Sequence, residues 1–198
     1  MKPMKRFLIV LSLALALSGA VFAQTDKAKQ SAATLDKMRQ IDLLNHLLPL
    51  TMTKDQIRKI LPAIEKARRD VRTQEDEEAK FLAQSAAKVD KAVEEGIKGD
   101  VPDKQLLKEL NAMIRLFTMK RKEIGDDNAR DVLAVMKTSL NAGQLKVAGN
   151  TLDFKIYNPG IKPEEIKDED RLTLFVREIL LDPLAYDLLV KIQAGPRG

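Results

Sequence analysis

The sequence predicts an all-α protein: a long antiparallel helical hairpin with shorter flanking helices. Three observations carry that reading. Apolar residues recur every three or four positions along most of the chain, the period of an amphipathic helix. The composition is 44% hydrophobic but 4% aromatic, with 32% charged residues, a mix that suits long amphipathic helices better than a compact catalytic fold. One cluster of turn residues, Gly96, Gly99, Asp100 and Pro102, divides the longest periodic stretch in two.

The chain opens with the pattern of a secretory signal peptide over residues 1–23. Lys2, Lys5 and Arg6 precede an apolar run at 7–17 broken only by Ser12, and Val21-Phe22-Ala23 offers small residues ahead of Gln24. Cleavage is expected between Ala23 and Gln24. The run falls short of the ~20 residues that span a bilayer, so no stable membrane insertion is expected after cleavage, and the location is periplasmic or secreted. The whole chain has 34 Lys and Arg against 29 Asp and Glu. Its leader holds three basic and no acidic residues, which leaves 31 against 29, a net charge of +2. Interspersed charge with few aromatics makes nucleic acid a poor partner. There is no cysteine, so helix packing replaces disulfides.

Residues 24–34 are polar and read as a flexible N-terminus. Residues 35–148 form the hairpin domain. A first helical stripe runs Leu35, Met38, Ile41, Leu44 and Leu48, and Pro49 closes it. Thr53 then caps a helix, with Gln56 completing a capping box and Met52 and Ile57 the flanking staple. The stripe continues through Ile60, Ile64, Ala67 and Val71, lapses over 74–78, and resumes at Leu82, Ala86, Val89 and Val93. Pro62 should bend this helix, which spans about 53–96. After the turn, a second helix covers about 103–140 with the stripe Leu106, Leu110, Met113, Phe117, Ile124, Asn128, Val132 and Met136. The start signal then recurs: Leu140, Asn141, Gln144 and Leu145 repeat staple, cap, box and staple. Residues 149–162 read as a loop or linker, extended over 151–157. The C-terminal helical segment is 163–194, with helices from about Asp168 and, capped by Asp182 with Pro183 first, to Gln193.

The two starts, Met52-Thr53-Lys54-Asp55-Gln56 and Leu140-Asn141-Ala142-Gly143-Gln144, resemble the paired LTxxQ motifs of the Spy/CpxP family of periplasmic proteins. Met52 stands where that motif has Leu, and Asn141 where it has Thr. The resemblance covers roughly 35–148. It implies a helical homodimer that holds unfolded envelope proteins without ATP, a chaperone of the stress response. Chemically the motif is a capped helix start, so structural capping is the main role expected of these residues.

No cofactor, metal or catalytic residue is expected, and the chain does not read as an enzyme. His46 is its only histidine and reads as a helix-surface or interface residue; with no cysteine it supports no ordinary zinc or copper site. Phosphate-binding glycine loops are missing. Asp126, Asp127 and Asp131 lack the spacing of a calcium loop. Two other readings fit the pattern: a structural coiled-coil adaptor of the envelope, or a regulatory ligand of a membrane stress sensor.

The charges also predict a register. With the turn near Gly99, residue i should oppose roughly residue 198 − i in an antiparallel pair. That sets Val89 against Leu110, Val93 against Leu106, and Leu82 against Leu116 and Phe117. It also puts residues 75–78 against Lys120, Arg121 and Lys122, and Arg68, Arg69 and Arg72 against Asp126, Asp127 and Asp131.

Overall fold

The computed structural model describes residues 26–157, 159–162 and 165–195, which contain no strand. The cleavage position at Ala23 and Gln24 lies outside the described residues. The chain divides into two compact units, residues 1–39 and 40–198. Helix α1, Asp26–Leu47, begins in the first. Residues 26–34 are therefore helical rather than loose, in keeping with a segment rich in the good helix formers Ala, Lys and Gln.

In the second unit, α1 ends in a 3-10 turn at Leu48–Leu50, and α2 then runs Lys54–Ile97 without interruption at Pro62. Helix α3 is Lys104–Ser139, α4 is Ala142–Asn150, and α5 is one turn, Phe154–Tyr157. Helix α6, Asp168–Phe175, passes into a π turn at Val176–Leu180, and α7 is Ala185–Ala194. At 1.5 Å per residue α2 and α3 are about 66 and 54 Å long.

The turn between them is built by the backbone. Gly99 has φ +104, a conformation open to glycine at little cost. Its N–H donates to the Gly96 carbonyl, and that of Asp100 donates to Glu95, both at 3.1 Å. This is the Schellman arrangement that closes a helix. The Asp103 carboxylate accepts from the Gln105 N–H at 3.0 Å and opens α3. The hairpin register is the one the charges predict: the Phe81 and Phe117 rings meet edge to face at 5.9 Å.

The core sits at the base of the hairpin. Ile57, Ile60 and Ile64 of α2 and Val132 and Met136 of α3 pack with Leu43, Leu47 and Leu50 and with Phe175, Val176, Ile179, Leu180, Leu188 and Leu189. Each fully buried Ile, Leu or Phe contributes about 1.5–3 kcal/mol relative to exposure. The C-terminal segment thus completes the same core as the hairpin. Residues 149–162 are not wholly a loop, since α4 reaches Asn150 and α5 buries Phe154. The Asp153 carboxylate accepts from the Lys155 N–H at 3.0 Å, which turns residues read as extended into a helical start. Asp182 still serves α7, accepting from the Leu184 N–H at 2.8 Å, although the helix begins at Ala185.

Two stripes need correction. In α1 the buried face is Leu43 and Leu47, continued by Leu50, whereas Leu35, Met38, Ile41 and Leu48 are exposed. The tighter 3-10 turn that follows puts Leu50, three residues after Leu47, on the same buried face. On α2 the face toward α3 passes through Gln74, Glu78 and Phe81, while Leu82 and Val93 are exposed. Polar residues occupy the seam at 74 and 78, and its apolar face resumes at Phe81, one position earlier than the stripe read from the sequence.

Candidate functional site

Two features invite a functional reading: the paired motifs at the base and the outer arm of the hairpin. At the base, both capping boxes form. The Gln56 N–H donates to Thr53 Oγ1 at 3.2 Å and the Thr53 N–H donates to Gln56 Oε1 at 2.9 Å. The Asn141–Gln144 pair repeats this at 2.9 and 3.0 Å. Met52 and Leu140, the staple residues ahead of the caps, are buried.

The fold then brings the two motifs together. Gln56 Nε2 donates to Gln144 Oε1 at 2.8 Å, and Gln144 Nε2 donates to Gln56 Oε1 at 3.0 Å. The second hydrogen of each amide goes to the backbone ahead of the opposite motif: Gln56 to the Ser139 carbonyl and Gln144 to the Leu50 carbonyl, both at 3.0 Å. Each glutamine therefore satisfies both donors and both lone pairs of its oxygen. The six motif residues form one structural clasp in which neither glutamine amide has a donor or acceptor left over for a ligand. Beside it, Thr51 has φ 47, a conformation unfavourable for a β-branched residue. Gln144 holds the carbonyl of the preceding Leu50.

Sequence reasoning treated the boxes as separate caps. The signal that joins them was present, because the hairpin register sets position 56 opposite about 142, within the second motif.

His46 accepts or donates at Nδ1 with Thr151 Oγ1 at 2.8 Å, and its Nε2 lies 3.7 Å from the Asp42 carboxylate. It ties the end of α1 to the end of α4. No group of His, Cys, Asp or Glu side chains suited to a metal ion occurs among the described residues. None of the described helices is long and apolar enough to cross a membrane.

Halfway along the hairpin lies a polar layer. Glu78, 4% exposed, is held by both arms of Arg121, with Nε donating at 2.7 Å, and by Gln74 Nε2 at 3.0 Å. The Arg121 guanidinium, above all, holds the Glu78 carboxyl below its ordinary pKa against the opposing effect of burial. Lys120 pairs with Glu77 at 3.3 Å. This first charge layer is the one predicted.

The second is not. Arg68 lies over the Tyr186 ring at 4.5 Å and pairs with Asp187 at 3.5 Å, while Arg72 pairs with Glu65 at 3.2 Å. Lys122 and Arg177 hold the Asp126 carboxyl at about 2, Asp127 pairs with Arg130, and Asp131 pairs with Lys66 at 3.1 Å. The C-terminal segment supplies Arg177, Tyr186 and Asp187, and so takes over charges that would otherwise face each other across the hairpin.

Beyond the polar layer the hairpin continues as a bare two-helix arm. Within residues 79–119, Met113 alone is buried. Phe81, Leu82, Val93, Leu107, Ile114, Leu116 and Met119 stand exposed among Lys, Glu and Arg, as do Ile97 and Val101 at the tip. Of the methionines, Met52, Met113 and Met136 fill the interior and Met38 and Met119 do not. Val89, Leu106 and Leu110 are half-buried, whereas Val93 is exposed.

With this geometry in hand the class that can be stated is an all-α helical-hairpin protein. No protein-family model, curated protein or solved structure matches the chain.

Proposed function

We propose that this protein is an exported, periplasmic, ATP-independent chaperone that holds unfolded envelope proteins, and that it acts as a homodimer. The observation that carries the reading is the arm: apolar side chains exposed on both helices, ringed by charge, beyond a core that needs none of them. An exposed apolar surface of that kind marks an interaction site. Its methionine, Met119, adds a flexible side chain able to fit varied partners. The repeated cap motif and the leader pattern agree with the Spy/CpxP resemblance.

The test uses the chain from Gln24 onward. At near-stoichiometric amounts it should slow aggregation of a chemically unfolded client, and Leu82→Ser with Ile114→Ser should weaken that protection without lowering the melting temperature. Absence of protection across several clients and salt concentrations would leave the structural adaptor as the better account. That second reading has its own support in the Glu78–Arg121 layer, since a charged layer within a helical seam fixes register.

A further inference from the structure

A groove lies where the C-terminal cover of the hairpin stops and the bare arm begins. It has a volume of about 450 Å³, and its lining includes Ala67 and Val71 of α2, Gly125 of α3, and Leu181 and Pro183 after the π turn. Arg68, Arg72 and Arg177 also line it, one from each of two α2 turns and one from the C-terminal segment. Glu75 is the one carboxylate in the lining. Each arginine has an acidic partner (Asp187, Glu65 and Asp126 respectively), but a guanidinium carries five N–H donors and can share them with a further carboxylate.

Gly125 supplies an independent observation. It stands in the interior of α3, where glycine weakens a helix relative to alanine. A Cβ at this position would meet nothing within 4 Å. The fold of the single chain therefore gives no packing reason for the missing side chain, whereas a segment lying in the groove would.

Helical periodicity continues this surface outward. Positions 71, 75, 82, 89 and 93 share one side of α2, and 107, 114, 118 and 125 share the matching side of α3. Leu82, Val93, Leu107 and Ile114 on those sides are exposed. The groove is thus the inner end of an apolar strip, with the three arginines at that end.

We infer that the groove docks a peptide segment in which acidic residues adjoin an apolar run, the carboxylates meeting Arg68, Arg72 and Arg177 and the apolar side chains lying over Gly125 and along the arm. This deepens the chaperone reading and rests on it, by naming the class of client segment. The three arginines can share their remaining N–H donors with the carboxylates of such a segment, which a basic segment of the same shape lacks.

The experiment measures fluorescence anisotropy of two labelled peptides on the chain from Gln24 onward: one with two glutamates before four leucine or phenylalanine residues, and the same peptide with lysines for glutamates. The acidic peptide should bind at least tenfold more tightly, and the preference should shrink as salt is raised. Gly125→Leu should abolish binding while leaving the melting temperature unchanged or higher, and Arg72→Gln should weaken it severalfold. Equal affinity for the two peptides, or full binding by a folded Gly125→Leu, overturns the assignment. So does a wild-type dimer that Gly125→Leu converts to monomer, which would make a second copy the occupant. Client protection measured on the same samples separates the two proposals. Protection without acidic-peptide preference sinks the groove alone, and peptide binding without protection of any client sinks the chaperone reading.

Discussion

Gln56 and Gln144 are the residues whose role changes most between sequence and structure. A capping box alone gives the cap the larger share, and removal of Thr53 or Asn141 should cost ~1 kcal/mol each, the usual loss for an N-cap. The glutamines do more than close those boxes. Gln56→Ala leaves Gln144 and the Ser139 carbonyl without their partners, so it should cost about 1–3 kcal/mol, the range for stranding a buried polar group. We expect the double variant with Gln144→Ala to be less destabilised than the two single losses added, by at least about 0.5 kcal/mol. Additive losses in chemical denaturation would mean the amides act only as separate caps. The individual boxes could be read from local spacing, because capping involves residues three apart. Their union could not be read locally, since it depends on where α3 ends and α4 turns back.

At the scale of the element, the hairpin shows which sequence signals survive folding. Its register was legible because it rests on paired charge and on one turn: Glu77 meets Lys120 and Glu78 meets Arg121. The orientation of its faces was less so. Gln74 and Glu78 are buried polar residues in the seam, and a search for apolar periodicity passes over them. The Glu78 layer gives a pH prediction. Its folded carboxyl titrates below its ordinary value, so its contribution to stability is complete above the unfolded carboxylate range near pH 4.3. That contribution falls as pH drops through the folded pKa. Glu78→Gln should therefore be less stable than wild type at neutral pH, and the gap should narrow on acidification. A gap constant from pH 7 to pH 2 in urea unfolding would show that charge on Glu78 does not matter. Breaking one side of a buried ion pair is the costly change, whereas replacing both partners with apolar residues can be neutral.

For the whole molecule, the unexpected result is where the C-terminal segment goes. Its helices were predicted, with starts near Asp168 and Asp182, but nothing in their local pattern says what they cover. Phe175, Val176, Ile179, Leu180 and Leu189 are all within the core that also holds Ile57, Ile60, Ile64 and Met136. A chain ending at residue 162 should therefore lose cooperative thermal unfolding and expose apolar surface to a dye. A truncated chain that melts with the sharpness of the full one would show that the hairpin and α1 suffice.

That placement also orders events in time. A ribosome delivers the chain from its N-terminus, and so would a pore through which it is threaded. The hairpin and its turn depend on contacts near in sequence, so they can pair early. The core cannot close until α6, the π turn and α7 arrive, because side chains that share it with Ile57 and Ile64 lie far downstream in the sequence. Until they emerge the hairpin lacks the side chains that cover its base, so the order of the residues delays the core. A protein arranged this way can form its hairpin early but completes its core only once that downstream segment is made.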